Sequence, residues 1–293
     1  MKPEKVEGEI ASRKLTIETG KLAKQANGSA VVSLGETVIL ATAVVGNPRA
    51  GVDFFPLSCE YEEKYYATGK IKGSRFIKRE GRPSDAAVLR SRLIDRPIRP
   101  LFPKGTTNEI QIIATILSAD LEVDPATTAI NAASSALMVS GAPFAGPIGA
   151  VRIGLVDGNL IVNPTYEEEE SGDLVLTVAG TLDAITMVEA GSKEISDEKM
   201  LEALELAHSE IKKICELQVE LKKKVNPEAL ELLLAEKNEE AVKAVEEIIT
   251  KADLDTIQGK KKKEIKNAIH ALEDKLIEKY AKEIEEEKFS EGN

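Results

Sequence analysis

Twelve basic residues lie between Lys64 and Lys104 against only three acids, which gives this window a net charge of +9 in a chain of net charge −11. Seven of the chain's eleven aromatic residues lie in or beside the window, at positions 54, 55, 61, 65, 66, 76 and 102. Cations that neutralise phosphates, next to rings that stack on bases, are typical of proteins that bind single-stranded nucleic acid. A solvated basic face beside core aromatics remains an equal alternative on charge alone.

Motifs of nucleophilic, metal and nucleotide chemistry are missing from the sequence. There is no GxxxxGK[ST] loop, GxGxxG, HExxH or CxxC, and His208 and His270 fall in helical patterns away from any nucleophile. Glu167–Glu170 could offer oxygens to Mg²⁺, but a run of like charges is more often a solvated turn. The residues therefore predict a platform that binds RNA or phosphate, with no catalytic set and no metal site.

The elements that would position the basic window begin with strands. Alternating polar and apolar residues at 14–18, 30–34 and 37–45 predict successive hairpins of an antiparallel sheet. Residues 68–82 contain three glycines and no regular period, which predicts an exposed loop.

A helix is predicted directly after this loop. Ser84 is a suitable N-cap, and Pro97 is expected to end the helix at about Arg96. Arg92 and Arg96, four residues apart, then share one face. The apolar side of the helix is expected to carry Val88, Leu89, Leu93 and Ile94.

The next segment alternates strands with one unusual helix. A strand is predicted at 109–117, and Asp124-Pro125 opens a helix of mostly small residues that runs to about Ser140. A helix with so little side-chain bulk must pack closely against its neighbours. Four more strands are expected at 149–156, 159–162, 174–178 and 184–189, and the helical period begins at about 197.

The composition changes near residue 216, because the remainder has no arginine and is rich in Lys, Asp and Glu. Asn226-Pro227 is expected to start a helix, and apolar residues at intervals of three and four predict three short amphipathic helices. We therefore expect an α+β core followed by a small all-helical domain, with the boundary between 8–215 and 216–293. Cys59 and Cys215 give no disulfide framework, and no signal or membrane segment is evident, so a cytoplasmic protein is expected.

Several long segments then identify a family. The stretch GKIKGSRFIKREGRPSDAAVLRSRLIDRPIRPLFP, residues 69–103, resembles the first RNase PH-type core of bacterial polynucleotide phosphorylases. Supporting segments are FFPLSCEYEEKYYATGK, ADLEVDPATTAINAASSAL, PFAGPIGAVRIG and LVLTVAGTLDAITMVEAG. The resemblance implies an RNase PH-like core of the ribosomal protein S5 domain 2-like arrangement, followed by that family's all-α linker domain.

The resemblance also implies an activity. Polynucleotide phosphorylases are polyribonucleotide nucleotidyltransferases: trimeric, phosphate-dependent 3′-to-5′ exoribonucleases of mRNA degradation. They use inorganic phosphate as co-substrate and a divalent metal, Mg²⁺, and they carry a second RNase PH-type core with KH and S1 RNA-binding domains. None of those further domains is recognisable in these 293 residues.

By the same resemblance, catalysis belongs to the second core. Here Val175 stands where that core has a metal-binding Asp, and Thr177 stands where it has a Lys. The region 124–128 replaces its phosphate-binding serines. This chain alone is therefore expected to be inactive, with no catalytic and no metal-binding residues.

The expected role of the chain is to hold single-stranded RNA and to build a homotrimer. A family loop of pattern FFRR, which grips RNA, matches Phe76, Ile77, Lys78 and Arg79, with Arg75 as an additional cation. The basic window adds Arg82, Arg92, Arg96 and Arg99 to the predicted RNA-binding set. Two alternatives remain open, a stand-alone RNase PH-like exoribonuclease and a non-enzymatic RNA-binding scaffold.

Overall fold

The computed structural model describes residues 2–48, 54–71, 73, 81–235, 239–255, 257 and 261–281. Two compact units are present, Met1–Leu234 and Ala235–Asn293. The described strands are β1 (Glu4–Ile10), β2 (Arg13–Thr19), β3 (Gly28–Leu34), β4 (Thr37–Pro48), β5 (Leu57–Glu62), β6 (Asn108–Ser118), β7 (Gly149–Val156), β8 (Asn159–Val162), β9 (Leu174–Gly180) and β10 (Ile185–Ser192). The described α-helices are α1 (Asp85–Ile98), α2 (Ala126–Ser140), α3 (Tyr166–Ser171), α4 (Asp197–Val225), α5 (Glu239–Ile248), α6 (Lys251–Asp255) and α7 (Lys262–Lys279).

The first unit contains two sheets. The larger one has six strands in the order β1-β2-β3-β4-β6-β5, antiparallel except where β5 pairs parallel with β6. The smaller one is antiparallel, in the order β10-β9-β7-β8. The predicted hairpins and the α+β class are confirmed.

Helix α2 lies between the sheets and packs on β3, β4 and β7. All fifteen of its residues are buried, as its small side chains predict. The approach is so close that a Cβ on Gly28 would lie 2.1 Å from the carbonyl oxygen of Ala136. Its buried polar groups are satisfied, since Asn131 exchanges two hydrogen bonds with the backbone of Ala150, at 3.0 and 2.7 Å.

Helix α1 packs on β5 and α2. Ser84 caps it as predicted, since its hydroxyl accepts from the backbone N–H of Ala87 at 3.0 Å. The predicted end at Arg96 is wrong by two residues, because Pro97 lies in the last turn, where its missing N–H removes a single hydrogen bond.

The predicted apolar side of α1 is only half right. Leu93 and Ile94 are buried, but Val88 and Leu89 are 49% and 64% exposed. The buried side of the helix is completed instead by Ala87 and by the residues of its last turn.

Helix α4 runs without interruption through the boundary predicted at 215/216, and it packs on β1, β7 and β9. The first unit extends instead to Leu234, because the segment after α4 is hydrogen-bonded to it. Leu230 donates to the carbonyl of Gly141 at 2.8 Å, and Leu233 donates to the side chain of Asn108 at 2.6 Å. The helix start expected at Asn226 is wrong, since Asn226 ends α4 in the left-handed conformation with φ 45°.

The second unit contains α5, α6 and α7. Of the three predicted amphipathic helices, those containing Ile248 and Ile269 correspond to α5 and α7, whereas the one predicted through Leu230 is wrong, since residues 226–235 are not helical. The hydroxyl of Tyr280 donates to the carbonyl of Ala244 at 3.2 Å, which joins the end of α7 to α5. Across the described part of the chain, no helix has the length and apolar character needed to cross a membrane.

Candidate nucleic-acid interface

Five of the predicted RNA-binding residues, Arg75, Phe76, Ile77, Lys78 and Arg79, lie outside the described residues. The structure therefore bears on the other four, Arg82, Arg92, Arg96 and Arg99.

Arg82 and Arg92 are exposed cations. Arg82 precedes α1, and Arg92 lies on the helix itself. Neither makes an ion pair or a hydrogen bond with any residue that the structure describes. Their guanidinium donors are thus available to a phosphate oxygen.

Arg96 and Arg99 are placed differently. Arg96 is exposed and pairs with Glu189 on β10 at 2.9 Å. Arg99 pairs with Asp95 at 2.6 Å and also donates to the carbonyls of Phe55 and Leu57, each at 3.0 Å. Most donors of Arg99 are therefore engaged in joining the end of α1 to the start of β5.

The aromatic residues of the window divide into two groups. Phe55 and Phe102 make a tilted ring contact with centroids 5.2 Å apart, in which Phe102 is buried and Phe55 is partly buried against the core. Phe54 is 61% exposed, and Tyr65 and Tyr66 are about half exposed. The window therefore contains both core aromatic residues and exposed aromatic residues.

A second group, of four charged residues and one threonine, lies at the amino-terminal end of α2, and we call it the Arg152 cluster: Asp124, Arg152, Glu169, Thr177 and Arg90. The guanidinium of Arg152 lies 3.1 Å from a carboxylate oxygen of Asp124 and 3.0 Å from one of Glu169. It also donates to the hydroxyl of Thr177 at 3.2 Å. Arg90 reaches the same oxygen of Asp124 at 3.2 Å.

The Arg152 cluster is largely closed to solvent. The side chains of Asp124, Arg152 and Glu169 are 10%, 12% and 14% exposed. The cavity beside them holds about 10 Å³, room for one water molecule at most.

Charge pairing controls protonation in the cluster. Burial by itself would raise the pKa of Asp124, but the guanidinium groups of Arg152 and Arg90 outweigh it and hold that pKa below its ordinary value of 3.8. Burial likewise opposes the charge on Arg152, and the carboxylates of Asp124 and Glu169 nevertheless raise its pKa. Asp124 and Arg152 are therefore both charged at neutral pH.

These contacts do not suit the metal and phosphate that the family resemblance implies for a catalytic core. The cluster's carboxylate oxygens are held by guanidinium groups, and a cation at 3 Å opposes binding of Mg²⁺. No group of three or more potential metal-ligand side chains occurs within the described ranges. A bound phosphate would in turn meet the carboxylate of Asp124, which already occupies the position between Arg90 and Arg152.

Sequence reasoning missed the Arg152 cluster. Glu169 was expected in a solvated turn, but it lies in α3, which a capping box of Thr165 and Glu168 begins. That spacing, Thr-x-x-Glu, was a usable signal for the helix. The pairing of Arg152 with Asp124, in contrast, joins residues from separate elements and had no local signal.

The two sheets enclosing the buried helix α2 define an α+β core of the RNase PH type. The fold resembles that of rice (Oryza sativa) Rrp46, with a TM-score of 0.57 over 71% of this chain and 93% of that chain, at 18% sequence identity. The pattern described as "3′ exoribonuclease family, domain 1" matches residues 11–143, and "3′ exoribonuclease family, domain 2" matches residues 146–210. The chain belongs to this 3′ exoribonuclease family, and the predicted RNase PH-like fold is confirmed.

Among curated proteins the chain is similar to several bearing the name polyribonucleotide nucleotidyltransferase. The one from Halothermothrix orenii is 56% identical over 213 residues, which is 73% of this chain and 30% of that protein. Those from Syntrophomonas wolfei and Listeria welshimeri are 46% and 49% identical over 97% and 95% of this chain. The chain spans 30% to 40% of the length of these relatives.

Proposed function

We propose that this chain is the part of a polyribonucleotide nucleotidyltransferase that binds single-stranded RNA and builds the enzyme's trimeric ring, without catalysing phosphorolysis itself. The name is that of relatives up to 56% identical to the chain. Arg82 and Arg92 support the RNA-binding role, because both are exposed and pair with no described residue, and Arg82 lines one groove together with the half-exposed ring of Tyr65.

The observation that carries the non-catalytic part of the proposal is the Arg152 cluster. Phosphorolysis needs a site that holds two mutually repelling anions, phosphate and an RNA phosphodiester, with cationic help. Here the guanidinium of Arg152 is occupied by Asp124, Glu169 and Thr177. Catalysis then requires a second RNase PH-type core outside these residues.

The proposed RNA contacts follow the basic window. We assign the closest grip to Phe76, Ile77, Lys78 and Arg79, with Arg75, and further phosphate contacts to Arg82 and Arg92. Arg96 and Arg99 complete the set, and we expect them to contribute less because carboxylates already engage them.

The co-substrate, metal, partners and location that we propose follow from the resemblance to polynucleotide phosphorylases. Inorganic phosphate is the co-substrate and Mg²⁺ the metal of the complete enzyme, with neither held by this chain. The partners are two further copies of the chain, the second core, and KH and S1 domains. A cytoplasmic location suits two cysteines that form no disulfide.

The test uses the purified chain with poly(A). We expect RNA binding that weakens steeply with salt, because each phosphate contact releases a counterion. With inorganic phosphate and Mg²⁺ present, we expect no release of ADP. Robust ADP release by the purified chain would overturn the proposal in favour of a stand-alone exoribonuclease.

A loop variant separates specific contact from general charge. Lys78→Ala with Arg79→Ala should lower RNA affinity and reduce the salt dependence by about two phosphate contacts at most. The matched control is Lys212→Ala with Lys213→Ala, two adjacent exposed lysines on α4. An equal loss of RNA affinity in the two double variants would show that Lys78 and Arg79 do not contact the RNA backbone.

A further inference from the structure

A groove of about 760 Å³ lies beside the start of α1 and the end of β5, separate from the small cavity of the Arg152 cluster. We call it the Tyr61 groove. Its volume is in the range of pockets that hold a small molecule or one unit of a polymer. The lining residues that bear on its ligand are Tyr61, Tyr65, Lys70, Arg82, Arg90 and Tyr166.

The groove offers two cations that no described carboxylate neutralises. Lys64 and Arg90, which also line it, are paired with Glu62 and Glu63, each at 2.8 Å. Lys70 and Arg82 are exposed and make no ion pair with the described residues. The third acid of the wall, Glu60, accepts a hydrogen bond from the side-chain amide of Gln111 at 3.1 Å and forms no ion pair with a described residue. Four basic and three acidic side chains leave the lining with one surplus positive charge, which favours an anionic ligand.

Tyr61 supplies a second, independent observation. Its side chain is 2% exposed, and its hydroxyl is the only buried side-chain nitrogen or oxygen atom among the described residues that lacks a hydrogen-bond partner. Burial raises the pKa of this phenol, so the hydroxyl stays protonated and remains a donor. A buried donor without an acceptor is unusual in a folded protein, and an acceptor brought by a ligand would satisfy it.

Aromatic surface completes the groove. Tyr65 is 49% exposed and Tyr166 is 40% exposed, and both line it. Arg90 lies over the ring of Tyr61 with its guanidinium carbon 5.7 Å from the ring centroid. Exposed rings next to free cations match the two parts of a nucleotide, a flat base and a phosphate.

We propose that the Tyr61 groove binds one nucleotide, with its phosphate near Lys70 and Arg82, its base against Tyr65 or Tyr166, and an acceptor atom taking the hydrogen bond of Tyr61. The nucleotide belongs either to an RNA strand, in which case the inference rests on the proposed function, or to a free nucleoside diphosphate. The two sources share this chemistry and are distinguished by experiment.

The decisive variant is Tyr61→Phe, because the two possible roles of the hydroxyl predict different results. A purely structural hydroxyl leaves ligand binding unchanged when it is removed. If the hydroxyl serves the ligand, its removal leaves the thermal midpoint of the empty protein equal or higher and weakens nucleotide binding about tenfold. Tyr280→Phe is the matched control, since it removes a hydroxyl already bonded to Ala244 and should leave nucleotide affinity unchanged.

Calorimetric titrations of the full chain with ADP, with inorganic phosphate and with a twelve-nucleotide oligo(A) identify the ligand. We expect weaker oligo(A) or ADP binding for Tyr61→Phe and for Lys70→Ala, but not for Lys24→Ala, which removes an exposed lysine between β2 and β3.

ADP that binds and displaces oligo(A) supports the inference that the groove binds a nucleotide from either source. ADP binding without RNA binding supports the groove while the proposed RNA function fails. RNA binding that is insensitive to Tyr61→Phe and Lys70→Ala, with no ADP binding, overturns the inference and leaves the proposed function intact.

Discussion

The exposed arginines at α1 and the Arg152 cluster use the same residue type in opposite ways. Arg82, just before α1, and Arg92, on α1, are exposed and pair with no described residue, whereas Arg152 is 12% exposed and bound to two carboxylates and a hydroxyl. An arginine with free donors can bind phosphate, and an arginine whose donors are engaged holds the fold together. Charge counting along the sequence treats all of them alike, so the distinction is a property of the tertiary structure.

The largest expected effect is on stability, from Arg152→Met. This change keeps most of the bulk of the side chain but leaves the buried carboxylates of Asp124 and Glu169 without their common partner. We expect a loss of about 3–5 kcal/mol in the free energy of unfolding, measured by urea denaturation. Arg92→Met, on the exposed face, is the matched control and should change stability by about 0.5 kcal/mol or less.

The origin of this loss can be sharpened with a triple variant. Adding Asp124→Asn and Glu169→Gln to Arg152→Met removes the stranded charges, and part of the stability should return. A triple variant that is less stable by the sum of the separate losses would show that the three residues act independently.

Asp124→Asn should have the next largest effect. We expect it to lower the free energy of unfolding by about 1–3 kcal/mol at pH 7, because a neutral amide cannot replace the carboxylate that lies between Arg90 and Arg152. The cost depends on pH. The folded-state pKa of Asp124 lies below its ordinary value of 3.8, so its contribution is fully present above pH 3.8 and is lost as the pH falls through the lower folded-state value. Wild-type and variant stabilities, measured from pH 7 to pH 2.5, should therefore converge at the acid end, and a constant gap would contradict this assignment.

The smallest effect on stability is expected for Arg82→Ala with Arg92→Ala, whose consequence is for binding. The free energy of unfolding should change by about 0.5 kcal/mol or less. The affinity for oligo(A) should fall, and the magnitude of the slope of log K against log salt concentration should decrease by about 1.4, the value for two phosphate contacts to a single strand. Arg96→Ala is the comparison variant. Because Glu189 already pairs with Arg96, its loss should change the slope less. Equal slopes for the wild type and the double variant would show that neither Arg82 nor Arg92 contacts the RNA backbone.

Much of the fold could be predicted from local sequence. The Ser84 cap, the small-residue helix 126–140 and eight of the ten described strands follow from side-chain type and period, and the structure has them. Strands β1 and β5 of the larger sheet were not predicted. Val88 and Leu89 show the limit of that reasoning, because a helical pattern does not determine which apolar residues meet the core. Asn226 shows a second limit of local reasoning, because an asparagine that suits the start of a helix also suits the left-handed conformation at the end of the preceding helix.

The family, the basic window and the replacements at Val175 and Thr177 were determined by the sequence itself, because they are statements about residue identity and spacing. Tertiary structure alone decided which cations are free. The pairing of Arg152 with Asp124, and the isolation of the Tyr61 hydroxyl, arise where side chains from separate elements meet in a low-dielectric interior. In that interior a buried charge or donor is stabilised by a partner from a distant part of the sequence, and such pairs produce no periodic pattern in the sequence.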